Sequence, residues 1–471
     1  MLRILYFSVF SLLISSCSNT KNSERSIDEL VPNNSTLVLS INSLESFKSA
    51  LTNSELATKT SLFNQLKKAL NPLDSMLSKS PLLVCITKES EENAYTFITH
   101  LRNKNPKDSL LIPFITIDSI LVASNSKAML KAIKSQKKSY YSKLFKRREA
   151  SASFSVYCRP PTNLIALNSI AIGPLFLDFN MTPKGLTFSG TLLDEKESNK
   201  WFKIFQKLEP QSQTLQAIFP SESQQSSIFS YNDFDLLQRN IDSIGYNSKK
   251  TELAKAFFST IKEIGVFETE QGSGIALKSI DISATYEALN GFQNELTSFR
   301  SIPLFEFTES LLFNEAFGSL LPKISPTKFI TLDDYLVFSD SNELLQMTIS
   351  NYFNKNTLDS NLSYETIQKS LSDEASVQLY FNHYRLAEWL NTQFKTNVKE
   401  SELSAYKLSG IQLVKDDNLM HINGVLQKSE PRPSKSLISE EFNLVLQNDI
   451  LMGPIFVSNH KTKGKDILVQ D

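Results

Sequence analysis

Ser124-Asn125-Ser126-Lys127 is the stretch whose residue types and spacing come nearest to catalysis. A serine at a helix start with a lysine one turn on sets an amine beside a hydroxyl. The amine can then take the proton that makes the oxygen nucleophilic. The chemistry would be acyl transfer, with Ser124 as nucleophile and Lys127 as base. The other reactive side chains are few: Cys17, Cys85 and Cys158, and the histidines His100, His383, His421 and His460. No histidine stands at metal-ligand spacing from another histidine, a cysteine or a carboxylate on one helix or strand. Neither a metal nor any other cofactor is expected.

Acyl-transfer enzymes of the penicillin-binding type pair S-x-x-K with S-x-N and K-T-G. Ser339-Asp340-Ser341-Asn342 and His460-Lys461-Thr462-Lys463-Gly464 only approximate those partners. A stronger argument comes from a second copy of the motif. ITIDSILVASNSKAML (115–130) and ITLDDYLVFSDSNELL (330–345) share Ile115/Ile330, Thr116/Thr331, Asp118/Asp333, Leu121/Leu336, Val122/Val337, Ser124/Ser339, Ser126/Ser341 and Leu130/Leu345. Random pairing of ordinary compositions gives roughly one identity in such a window. The second copy keeps both serines but has Asn342 where Lys127 stands. What repeats is therefore a piece of fold: a strand, a turn at Asp118 or Asp333-Asp334, a strand, and a helix capped by Ser126 or Ser341. No catalytic residue is expected, and the chain reads as a non-enzyme.

Other blocks recur in the same order. VPNNSTLVLSINSLESF (31–47) parallels FPSESQQSSIFSYNDFDLL (219–237), with Asn42 and Asn232 expected as helix caps and Glu45 completing a capping box. ASASFSVYC (150–158) parallels EASVQLYF (374–381), and GLTFSGTLL (185–193) parallels LMHINGVLQ (419–427). Four collinear matches indicate an internal duplication. The expected organisation is a first repeat over 31–214 and a second over 215–430. Runs of strands interrupted by helices predict an α+β fold, two tandem repeats built mainly on antiparallel sheet. Trp201 and Trp389 fall on expected helices at core periodicity and read as packing residues.

The N-terminus bears on location. Arg3 precedes an apolar run, Ile4 to Ile14, too short to span a bilayer as a mature helix. Ile14-Ser15-Ser16-Cys17 resembles the lipobox of bacterial lipoproteins. The resemblance implies removal of residues 1–16 and lipid on Cys17, followed by a polar tether over 17–30. Acyl chains contribute about 0.8 kcal/mol per buried CH2, so several of them anchor stably. By analogy with other Gram-negative lipoproteins, Ser18 after the cysteine implies the outer membrane rather than the inner one, with the periplasmic face expected ahead of the cell surface. In an oxidising compartment Cys85 and Cys158 could form a disulfide or remain buried thiols.

The order x-Pro-polar-strand-Asn-helix, strand-Asp-x-strand-Ser-x-Ser-helix, then Ala-Ser-x-x-x-Tyr resembles a family of uncharacterised exported bacterial lipoproteins with a duplicated domain of unknown function. It implies envelope location and no established catalytic residue. Residues 431–471 read as linker and a C-terminal strand segment. There KDILVQD resembles the opening strand of a quinoprotein-type propeller blade, as if a propeller followed in longer members.

Charge narrows the partners. Lysines and arginines number 49 and acids 50, so no global footprint for nucleic acid exists. Thirteen glycines argue against phosphate-cradling loops. One basic run, Lys131 to Arg148, is interleaved with Tyr140, Tyr141 and Phe145; behind a lipoprotein signal it suits an anionic envelope surface better than nucleic acid. The expected partners are the membrane, through Cys17, and another envelope protein. A binding or scaffolding role is the leading expectation. The alternatives are a carrier or sensor of a small apolar or glycan ligand held between the copies, and an envelope serine hydrolase acting through Ser124.

Overall fold

Short alternating runs separated by tight turns bury one face only by pairing side by side, and here they pair extensively. A computed structural model describes residues 25–428 except 61–80, 90–92, 102–111, 137, 160–165, 168–169, 172–173, 195–198, 247–250, 395–396 and 418. The first half contributes β1 (Ser35–Ile41), β2 (Leu82–Lys88), β3 (Asn93–His100), β4 (Phe114–Ile117), β5 (Ile120–Ser124), β6 (Phe154–Cys158), β7 (Leu175–Thr182) and β8 (Gly185–Leu192). The second contributes β9 (Gln225–Ser230), β10 (Ile261–Thr269), β11 (Gly272–Ser279), β12 (Gln293–Phe299), β13 (Ile302–Phe307), β14 (Lys328–Leu332), β15 (Tyr335–Ser339), β16 (Val377–Asn382), β17 (Leu408–Asp416) and β18 (Leu419–Gln427). All belong to one 18-stranded sheet, and every pairing in it is antiparallel. The fold is α+β, as the sequence predicts.

Strand order exposes the duplication. The first half runs β4-β5-β3-β2-β1-β6-β7-β8 across the sheet. The second runs β14-β15-β11-β10-β9-β16-β17-β18, the same order, with the β12–β13 hairpin added outside β14. Register repeats too: Ile115 faces Val122 as Ile330 faces Val337. The turns at Asp118 and Asp333 both take positive φ, 53° and 50°. Aspartate tolerates that left-handed conformation better than most residues, which explains its recurrence.

The halves join edge to edge through β8 and β18. Aligning GLTFSGTLL with LMHINGVLQ equates Ser189 with Asn423, and those two residues sit directly opposite each other. The strands are thus related by a local two-fold, the arrangement of an isologous dimer interface inside one chain. The symmetry recurs in detail. Phe188 faces Gly424, and Gly190 faces Ile422, its two-fold counterpart. A Cβ on Gly424 would lie 2.1 Å from the Phe188 ring, so glycine is required by close approach.

Helices cover both faces. α1 (Leu44–Asn53) follows β1 and buries Leu44, Phe47 and Leu51. Its cap is Ser43, which accepts from the Ser46 N–H at 3.3 Å; Asp233 does the same for the helix Phe234–Ser243, accepting from Leu236 at 2.8 Å. The expected caps were one residue too early. Asn42 instead donates to the Ala150 carbonyl, and Asn232 accepts from the Glu209 N–H. Glu45 is therefore the second helical residue, out of register for a capping box. The sequence suggests two helices after the first strand, with helical sequence from Ser46 to Leu70, of which residues 61–70 lie outside the described residues. Ser54, extended at φ −87°, ψ 121°, ends α1 and caps a new helix, Glu55–Lys59, by accepting from Ala57.

On the other face lie α2 (Lys127–Ser135) and α3 (Ser142–Phe145), and in the second half α4 (Asn342–Phe353). α2 buries Met129, Leu130 and Ile133, and α4 buries Leu344, Leu345 and Ile349. Each such side chain contributes about 1.5–3 kcal/mol. The largest core crosses the seam from Leu175, Leu177 and Leu192 to Phe229 and Ile264. Trp201 lies within it, fully buried and near-parallel to Phe205 and Phe229 at 6.2 and 6.5 Å. The packed body also includes residues before Val31. Ile27–Leu30, read from sequence as tether, forms a 3-10 turn that buries Ile27, Asp28 and Leu30.

Candidate functional site

Ser124 ends β5, where the chain turns into α2, and its side chain is completely buried. Its Oγ accepts from the Ser126 N–H at 3.2 Å and from the Thr96 hydroxyl at 3.2 Å. Ser126 caps α2, accepting from Met129 at 3.2 Å while donating to Glu89 at 2.8 Å. The second copy repeats the device. Ser339 accepts from the Ser341 N–H at 3.1 Å, and Ser341 caps α4 by accepting from Leu344 at 3.1 Å. Lys127, the first residue of α2, is exposed. Ser124 is fully buried and its oxygen accepts two hydrogen bonds from its own neighbours, so it is not presented to a substrate carbonyl. The S-x-x-K spacing is a strand-end and helix-cap device.

Cys85 and Cys158 lie on β2 and β6, the two strands flanking β1. Cys85 faces Val38 and Cys158 faces Leu37, so the thiols stand on opposite faces with a strand between them. Two strand spacings separate their backbones by about 10 Å, beyond the roughly 7 Å a disulfide spans. Both are free thiols. Burial raises both pKa values, that of Cys158 to about 11, so neither forms a reactive thiolate near neutrality. Among the described residues, no three of His, Cys, Asp and Glu come together to hold a metal ion. His421 lies 3.7 Å from Asp416 across the β17–β18 hairpin, and His383 opens the helix α5 (His383–Phe394). Cys17, the expected signal segment 1–16 and residues 431–471 lie outside the described residues. Among the described residues no helix is long and apolar enough to cross a membrane.

The β8–β18 seam is continuous strand pairing, so the expected cleft between the copies is closed along it. A hollow of about 270 Å3 instead opens within the second repeat, lined by Gln225, Ser227, Val266, Glu268, Phe381 and Trp389 among others. Three neighbouring strands build it. Gln225 on β9 faces Glu268 on β10 and Phe381 on β16. α5 adds Trp389, whose ring tilts 31° against Phe381 at 5.8 Å, and Arg385, whose guanidinium pairs with Glu268 and, at 2.7 Å, with Glu388. Gln225 Nε2 donates to Glu268 at 2.7 Å. The Glu388 and Glu268 carboxylates hold the Arg385 pKa above its ordinary value. In the first repeat the position of this Gln–Glu pair is taken by Ser35 and Thr87, two buried hydroxyls 3.5 Å apart.

An aromatic wall beside a carboxylate and an amide suits a small, hydroxyl-rich amphipathic molecule. Glu268 is already held by a guanidinium and an amide, which suits positioning better than proton transfer. Sequence reasoning missed Gln225, Glu268 and Arg385. They are distant in sequence, with Glu268 and Arg385 separated by 117 residues, and no local spacing signals their meeting. Comparison of the chain with protein-family models, with curated proteins and with solved structures finds no match.

Proposed function

We propose that the chain is a lipid-anchored bacterial envelope protein, held through Cys17, that works as a non-enzymatic binding or scaffolding protein for another envelope component. On this reading it belongs with the uncharacterised exported lipoproteins that its repeats resemble and faces the periplasm from the outer membrane. Ile14-Ser15-Ser16-Cys17 supports the anchor. The observation that carries the non-enzymatic reading is the sealed serine cap. Ser124, the sequence's one nominee for a nucleophile, is fully buried and has a hydrogen-bonded twin in Ser339.

The test is a crosslinked pull-down of the lipidated protein from intact envelopes, read by mass spectrometry. A photo-crosslinker belongs at Leu296, which is 52% exposed on the β12–β13 hairpin, an element without a counterpart among the described residues of the first repeat. One envelope protein recovered in stoichiometric amount supports the scaffold. Labelling of Ser124 by an active-site serine probe overturns the non-enzymatic reading. A second reading, a carrier of a small glycan or apolar ligand, is favoured by the Glu268–Trp389 hollow. Native mass spectra of freshly isolated protein check it: a bound small molecule that is lost in Trp389→Ala supports the carrier, and a clean apo mass removes it.

A further inference from the structure

The duplication supplies an internal control for surface charge. α2 and α4 cap, pack and bury alike, so their outward residues are free of the demands of the fold. From 127 to 148 the first repeat has Lys127, Lys131, Lys134, Lys137, Lys138, Lys143, Lys146, Arg147 and Arg148, and no acid. The equivalent stretch of the second repeat, 342 to 363, has Lys355 alone, with Glu343 and Asp359. In a chain whose net charge is −1, this concentration on one of two equivalent elements is not required by packing.

Of the three aromatic residues in the run only Tyr140 is exposed, which leaves one ring at the surface rather than a stacking platform. Tyr141 and Phe145 are buried in the core beneath α2 and α3. Lys131, Lys134, Lys138, Lys143, Lys146 and Arg147 are exposed, and none is ion-paired among the described residues. Arg148 is the exception, bonded to Asp28 at 3.2 Å and to Ser40 at 3.1 Å. That bond, with Gln136 donating to the Glu29 and Val31 carbonyls at 3.2 and 3.0 Å, fastens the basic segment around the turn Ile27–Leu30. The basic segment is therefore tied, through Gln136 and Arg148, to the turn Ile27–Leu30. Nine residues lie between Cys17 and Ile27, a reach of at most about 35 Å.

We infer that this face of α2 and α3 is a second membrane contact: it seats the first repeat on anionic phospholipid headgroups. The inference rests on the proposed anchoring for its cellular setting. The partner follows from charge complementarity and tether length. Six exposed cations, none ion-paired among the described residues, lie on the segment tied to that turn, and each lysine near an anionic leaflet strengthens binding roughly five-fold. The second repeat, lacking the stripe, stays free for its partner.

The test uses unlipidated Cys17→Ser protein, so that only the protein surface can bind. It is sedimented with vesicles of about one-third phosphatidylglycerol in phosphatidylcholine, and with phosphatidylcholine alone. Expected are binding to the anionic vesicles only, release at about 1 M salt, where the Debye length is about 3 Å, and loss by about a hundred-fold or more in the K131E/K134E/K143E/K146E variant. Circular dichroism confirms that the variant folds; the milder K131Q/K134Q replaces it if it does not. No binding to anionic vesicles, or undiminished binding by a folded variant, overturns the inference. So does binding to a single-stranded oligonucleotide at least as tight as to the vesicles, since nucleic acid would then be the better partner. Lipidation is read separately, from the intact mass of Cys17 protein isolated from cells. An unmodified Cys17 sinks the anchor while leaving the vesicle result to stand.

Discussion

Glu263 gives the sharpest test of how the two repeats are joined. It lies on β10 opposite Ser230, where the first repeat has Leu83 opposite Ser40. Its carboxylate is fully buried and accepts from the Thr214 N–H at 2.6 Å, the Leu215 N–H at 3.0 Å and the Thr214 hydroxyl at 2.9 Å. These donors open the 3-10 turn Leu215–Ala217, where the chain passes from one repeat to the next. Glu263→Ala strands the buried Leu215 N–H, at about 1–3 kcal/mol, and the half-buried Thr214 N–H at less. The expected loss is about 2–4 kcal/mol. Glu263→Gln keeps an oxygen for both N–H groups and should cost about 1 kcal/mol or less. Burial raises the Glu263 pKa, against the pull of Thr214, Lys262 and Leu215, so the folded state holds the proton more tightly than the unfolded chain. This carboxyl's contribution is complete below its ordinary value of 4.5 and lost as pH rises through the folded value. Wild type should therefore lose stability relative to Glu263→Gln as pH rises above 4.5 and through the raised folded value. Urea titration followed by tryptophan fluorescence measures both effects, since Trp201 is fully buried. If Glu263→Ala stays within about 1 kcal/mol of wild type, or Glu263→Gln proves equally damaging, the clamp argument fails.

Three further outcomes are expected. Ser126→Ala and Ser341→Ala each remove the same cap and should each cost about 1 kcal/mol in urea titrations; no loss in either would deny that the serines are retained as caps. Alkylation in denaturant without reductant should modify both Cys85 and Cys158, and a mass two hydrogens lighter, resistant to alkylation, would show the disulfide that the strand positions forbid. Gly424→Val should drive a methyl group into the Phe188 ring at the seam and cost about 3 kcal/mol, with Phe188→Ala in the same chain restoring part of it; an unchanged melting temperature would refute the packing.

Local chemistry was legible in the sequence because its signals lie within a few residues. Ser126 and Ser341 precede apolar helical runs, Asp118 and Asp333 sit at two-residue turns, and the Gly-bearing strands at 185 and 419 match position by position. Those signals yielded the α+β class, the duplication and the two serine caps. The caps at Ser43 and Asp233 were missed by one residue because Asn42 and Asn232 are equally good cap formers. Only their hydrogen bonds to Ala150 and Glu209, set by tertiary packing, show which residue serves. What spacing cannot reveal is which strands become neighbours. Pairing across the sheet closed the seam about Ser189 and Asn423, sealed Ser124 under Thr96, put a strand between Cys85 and Cys158, and brought Gln225, Glu268 and Arg385 together. A strand's sequence determines which residues share a face, because side chains alternate with period two. Which face meets which partner is decided by long-range hydrogen bonding and burial, and these exist only in the folded chain.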